Sequence, residues 1–248
     1  MADAEYKDTS SVSQNVNHLN GGNGGFGGDD SNNHGGPPHD EDVFLFPASY
    51  GQQRMWFLDQ FEPGSPYYNI PLAFRLTGAF NINVFRRVIE EIVARHESLR
   101  TTFTAIDGKP MQVISPRVQV DVPLIDISDL PEEEREQKMY QLAREEARTG
   151  FNLETGPLFR AKIIRLAPQE HVVLITMHHI ISDGWSVGIL INEITTLYAS
   201  FIQGKPSPLP ELELQYADYA EWQREFLKGE PLQKQLEYWK QKLAGAPD

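Results

Sequence analysis

The segment that most constrains this chain is the near-continuous apolar run at residues 172–177, which ends abruptly on two histidines, His178 and His179. A strand with one wet face alternates polar and apolar residues, so a run without alternation reads as a central strand covered on both faces. Layers are then needed on each side, and the rest of the sequence supplies helices for them. Phe85, Val88, Ile89 and Ile92 recur at i, i+3, i+4, i+7, with Asn81 or Asn83 as the expected N-cap. Glu132–Arg148 reads as a charged surface helix with Met139, Leu142 and Ala143 inward. Beyond Gly184, the positions Val187, Leu190, Ile191, Ile194, Tyr198 and Phe201 form one helical stripe, stopped by Gly204. Residues 50–61 read as a further helix. Strands are expected at residues 71–76, 158–166, and at 101–105 and 111–114 around an Asp107-Gly108 turn. Pro206, Pro208 and Pro210 make an extended link to two aromatic-rich helices at about 215–228 and 232–243, where Tyr216 and Trp222 read as packing. Mixed strands and helices of this kind predict an α/β or α+β sandwich, a mixed sheet covered by helices.

Composition narrows the chemistry. The chain has 248 residues and no cysteine, which excludes disulfides, thiolate metal sites and cysteine nucleophiles. No run of about 18 apolar residues is present, and the acidic start is unlike a secretory signal, so a cytoplasmic setting without membrane spans is expected. The net charge is -13, and residues 1–42 hold eight acids against Lys7, a net -7 that leaves -6 for the remainder. Neither part offers the basic field that nucleic acid requires. Residues 1–42 are rich in glycine, asparagine and acids, so they are expected to be a disordered tail, with residues 43–248 as the folded unit. His18, His34 and His39 lie in that tail without rigid spacing or further ligands, and read as solvated residues rather than a metal site.

The segment His178-His179-Ile180-Ile181-Ser182-Asp183-Gly184 carries the candidate chemistry. Histidine titrates near neutral pH and can take a proton from an attacking nucleophile. Asp183 can pair with an arginine and pin the loop. Gly184 allows a sharp turn, and a helix start would aim free N–H groups at developing negative charge. From the dihistidine by itself, core-edge residues with satisfied hydrogen bonds are an equal alternative. A zinc site needs three or four ligands, and no His-Glu-x-x-His and no cysteine is present. There is also no Gly-x-Ser-x-Gly elbow, Walker loop or dinucleotide fingerprint.

His-His-x-x-x-Asp-Gly resembles the active-site signature of the superfamily related to chloramphenicol acetyltransferase. Three further segments narrow the resemblance. Ser49-Tyr50-Gly51-Gln52-Gln53-Arg54-Met55-Trp56-Phe57-Leu58 is similar to the opening signature of condensation domains of nonribosomal peptide synthetases, with Gly51 where alanine is usual. Arg95-His96-Glu97-Ser98-Leu99-Arg100-Thr101-Thr102-Phe103 matches the second, and Tyr216-Ala217-Asp218-Tyr219-Ala220-Glu221-Trp222-Gln223 the fourth, all in family order.

The resemblance implies a chloramphenicol acetyltransferase-like fold and the N-terminal lobe of a two-lobed domain, with the second lobe absent. It implies amide-bond formation from a carrier-bound thioester to a carrier-bound amine. His179 would act on the attacking amine and His178 would support the loop. Asp183 would form a salt bridge, for which Arg95 matches best, with Arg100 a further site candidate. Gly184 would leave room for the substrate arm and offer its N–H. No cofactor or metal is implied for the chain itself; 4′-phosphopantetheine sits on donor and acceptor carrier proteins, the expected partners beside a second lobe or downstream synthetase modules. The segment at residues 62–71 resembles members that join two L-configured substrates. Two other readings stay open: an ester-forming acyltransferase with the same motif, and a non-catalytic remnant or interaction lobe.

Overall fold

The structure is a computed structural model, and it describes residues 43–246. The tail at 1–42, with its expected disorder and its three histidines, lies outside the described residues.

The long run becomes β7 (Glu170–His178), paired antiparallel on one side with β2 (Asn69–Thr77) and on the other with β6 (Phe159–Ala167). A short β5 (Leu124–Asp126) runs parallel to β6 and completes a mixed four-stranded sheet in the order β2-β7-β6-β5. Alternate β7 residues then enter different cores, as a doubly covered strand requires. Val173, Ile175 and Met177 join Phe85, Val88, Ile89, Ile92, Leu190 and Leu197 from α2 (Ile82–Arg95) and α4 (Gly184–Phe201). Val172 and Leu174 face Met139, Leu142 and Ala143 of α3 (Glu132–Arg148). Each such side chain is worth about 1.5–3 kcal/mol when fully buried, so the two apolar faces together hold the strand in place.

A second, three-stranded sheet lies apart, in the order β1-β4-β3: β1 (Phe44–Pro47), β3 (Thr101–Ile106) and β4 (Lys109–Ile114). Asp107 and Gly108 take positive φ values of 51° and 72° and turn β3 into β4, as the sequence predicts. Asn81 rather than Asn83 caps α2, accepting from the Val84 N–H at 3.1 Å. Ser49 caps α1 (Tyr50–Asp59) in a reciprocal box with Gln52. The chain closes with α5 (Tyr216–Phe226) and α6 (Glu230–Lys242); α6 buries none of its residues. No helix among the described residues is long and apolar enough to cross a membrane.

Candidate active site

The dihistidine stands where β7 leaves the sheet. The β2 register sets Asn69 opposite His178, and the Tyr68 carbonyl accepts the His179 N–H at 2.7 Å, so the loop starts from a fixed edge. The two histidines then diverge in environment. His178 is only 1% exposed, with the rings of Phe151 and Tyr68 about it at 6.1 and 6.0 Å. Its Nδ1 accepts the Ile180 N–H at 3.1 Å. Burial, with the neighbouring His179 as a smaller cause, pushes its pKa down to about 4. His178 is therefore a neutral side chain at ordinary pH, with its Nδ1 engaged by the backbone.

His179 is exposed. Its Nδ1 lies 2.8 Å from the Ser182 carbonyl oxygen. A carbonyl only accepts, so Nδ1 carries a proton, and in the neutral ring Nε2 keeps its lone pair. That is the tautomer and exposure a general base needs.

Asp183 is the N-cap of α4. Its carboxylate accepts from the Ser186 N–H at 2.8 Å and the Ser186 hydroxyl at 2.7 Å. These bonds, followed by the Trp185 N–H and the neighbouring His179, hold its pKa below the usual carboxylate value. The salt bridge expected between Asp183 and Arg95 is absent. Arg95 instead donates to Glu193 at 3.1 Å and to the Pro210 carbonyl. Glu193 also meets His96 Nε2 at 2.6 Å. The reason is distance along α4. Ten residues separate Asp183 from Glu193, about 15 Å of helix, and Arg95 lies beside the buried acid farther up.

Arg100 is also placed differently from expectation. Its guanidinium donates to the carbonyls of Val93, Ala94 and Ser115, closing the C-terminal end of α2 rather than reaching the histidine loop. Gly184 opens α4 without the left-handed backbone of a sharp turn, and a Cβ there would meet nothing within 4 Å. The Asp183 carboxylate takes the Ser186 N–H at this helix start, and the Val187 N–H goes to the Asp183 carbonyl.

A cleft of about 110 Å³ lies between the turn at residues 96–99 and the start of α4, with His96, Ser98, Ser182 and Ser186 on its walls. Sequence reasoning misses Glu193, an acid beside an apolar stripe, and the Ser49–Tyr216 hydroxyl pair at 3.0 Å, which gives Tyr216 a polar partner beyond its packing. No cluster of three metal-ligating side chains occurs among the described residues.

A mixed sheet covered by helices, with His-His-x-x-x-Asp-Gly at the exit of its central strand, is the chloramphenicol acetyltransferase-like fold that the sequence resemblance implies. Within that class the chain belongs to the condensation domain family, whose profile matches residues 45–248. A component protein of the linear gramicidin synthase of Brevibacillus parabrevis is 47% identical over 224 residues, covering 90% of this chain and 3% of the relative. Malpibaldin synthetase of Mortierella alpina is 44% identical over 199 residues, covering 80% of this chain and 4% of the relative. The chain thus spans a small fraction of the synthetases it matches. Among solved structures, the starter condensation domain of rhizomide synthetase RzmA superposes with a TM-score of 0.74 at 20% identity, over 83% of this chain and 49% of that one, a likeness of fold. SgcC5 from Streptomyces globisporus superposes at 0.67 with 30% identity, over 81% of this chain and 46% of that one.

Proposed function

We propose that this chain is the histidine-bearing half of a condensation domain that forms an amide bond between two carrier-bound substrates during nonribosomal peptide synthesis. The observation that carries the reading is His179: exposed at a strand end, with Nδ1–H tied to Ser182 and Nε2 free. The substrates are an aminoacyl or peptidyl thioester and an amine, each on the 4′-phosphopantetheine arm of a carrier protein. The amine nitrogen attacks the thioester carbonyl, forming a C–N bond, and its proton passes to His179 Nε2. The tetrahedral adduct collapses, the C–S bond breaks, and the thiolate leaves and takes up a proton. The products are an amide and a free thiol.

The role of Asp183 in this scheme is to cap α4 and so hold the loop that carries His179; His178 supports the same loop from below as a neutral residue. A second lobe is proposed to complete the site, because the chain matches about half of each solved relative. The test is product formation followed by mass spectrometry, with the second lobe and both loaded carriers supplied. His179→Ala is expected to lower turnover by about 10²- to 10⁴-fold, the usual contribution of a positioned base. Wild-type turnover by that variant would remove the base from the scheme.

A further inference from the structure

We infer that Asn69 is a positioning residue for the histidine loop: a water molecule held between Asn69 Oδ1, Thr176 Oγ1 and the Nε2–H of His178 ties β2 to the buried imidazole. The catalytic consequence rests on the proposed reaction; the water site does not.

The three side chains share one face of the sheet. Asn69 stands directly opposite His178 in the antiparallel register of β2 and β7, and Thr176 lies two residues before His178 on β7. Opposed residues project from the same side with Cβ atoms about 4.5–5.5 Å apart, and residues i and i+2 share that side. It is the side that α3 covers: Asn69 Nδ2 donates to the Ala147 and Thr149 carbonyls at the α3 C-terminus, at 2.8 and 2.9 Å. A bridging water spans two hydrogen bonds, roughly 5–6 Å, which suits this spacing.

Each of the three leaves a polar atom to be satisfied. Both Asn69 amide protons are committed to those carbonyls, which fixes the orientation of the amide and leaves Oδ1 as an acceptor. Asn69 Oδ1 and Thr176 Oγ1 are buried atoms without a hydrogen-bond partner among the described residues. The neighbours of Thr176 across the sheet do not serve it. Pro71, opposite on β2, has no N–H, and Arg160, opposite on β6, gives its guanidinium to Glu146 and to the Gly150 and Thr149 carbonyls. His178 Nδ1 accepts the Ile180 N–H, so that nitrogen carries no proton and the single ring N–H is on Nε2. At 1% exposure, this donor also needs a partner.

The chemistry of these atoms selects the occupant. Nε2–H needs an acceptor, which excludes a metal cation. Oδ1 needs a donor, which excludes a simple anion. Water does both, and about three partners is usual for a buried water. It accepts from His178, donates to Asn69 and shares its remaining bond with Thr176. The Tyr68 carbonyl already accepts the His179 N–H, so consecutive β2 residues hold consecutive histidines.

A crystal structure of the chain should show one ordered water within about 3.2 Å of all three atoms. Thr176→Val removes only the hydroxyl from that set. A buried hydroxyl without a partner is a cost, so its loss would raise the melting temperature; a hydroxyl bonded to a held water contributes, so Thr176→Val should lower it. In the two-lobe enzyme, with melting curves to confirm folding at the assay temperature, Asn69→Leu should lower kcat about tenfold with KM for both carriers unchanged, less than the 10²-fold that an ångström of misplacement can cost. Thr176→Ser should keep kcat and Thr176→Val should lose part of it. In the Asn69→Leu background Thr176→Val should cost nothing further, since both serve one water. A protein without that water, or a raised melting temperature in Thr176→Val, overturns the site; wild-type kcat in Asn69→Leu overturns its positioning role. Wild-type turnover in His179→Ala, run in parallel, would instead show that the proposed reaction has failed.

Discussion

His179 donates its Nδ1 proton to the backbone carbonyl of Ser182 across 2.8 Å, so a loop of three residues fixes which ring nitrogen is basic. The acceptor is a main-chain atom, and no side-chain substitution removes it directly. The tautomer is therefore built into the turn between β7 and α4, whose two ends are held by the Tyr68 carbonyl and by the Asp183 cap. Imidazole ¹⁵N chemical shifts report this state. In the neutral ring the His179 Nδ1 should read as protonated and Nε2 as unprotonated. The opposite tautomer, or a rapid mixture, would leave the loop without the role assigned to it.

Stability should fall on mild acidification because of His178. Its folded pKa of about 4 lies below the ordinary 6.5, so between those values the unfolded chain binds more protons than the folded one. Stability then rises with pH across that window and is lost as pH falls from 6.5 toward 4. A shift of this size is worth up to about 3 kcal/mol. Urea unfolding at pH 7.5 and pH 5 should reveal the loss. His178→Asn, whose side-chain oxygen can still accept the Ile180 N–H, should flatten it.

The ion pairing found here orders two acids by consequence. Asp183 is a helix cap, so Asp183→Ala should cost about 1 kcal/mol. Glu193 is 6% exposed and serves both Arg95 and His96. Its removal leaves Arg95 charged and largely buried, and Glu193→Ala should cost about 3 kcal/mol. Chemical denaturation of the two variants tests the ranking. A larger loss at Asp183 would restore the expectation that its carboxylate is a buried ion-pair partner.

These particulars mark how far the sequence is legible. The α4 stripe, the Asn81 cap and the Asp107-Gly108 turn depend on neighbours a few residues apart, so spacing reveals them. The short strands β1 and β5 escape the pattern, because four or three residues carry little period and their pairing is with distant segments. The same divide runs through the site. The dihistidine and its strand exit are local and readable, whereas the partner of Arg95 depends on where α2 meets α4. Asp183 is readable as a cap, standing ahead of a helix with Ser186 at N3, but a charged residue in a motif draws attention to ion pairing first.

Tyr219, Trp222 and Phe226 form a ladder along α5, the final two rings stacked at 5.1 Å, and all three are exposed. On α6, Leu232, Leu236 and Trp239 repeat at helical spacing, followed by Leu243 at its C-cap, and all four are also exposed. Two neighbouring helices with this much aromatic and aliphatic surface in water exceed the scatter of single apolar residues normal on a soluble face. Expressed alone, the chain should self-associate and bind a hydrophobic dye, with an average mass in analytical ultracentrifugation that rises with concentration. Trp222→Glu together with Leu236→Glu should return it to a monomer without loss of melting temperature, since neither side chain is buried. Supplying the second lobe in one chain should suppress dye binding to the same extent. A wild-type chain that is monomeric and dye-silent over the full concentration range would show that these helices need no cover.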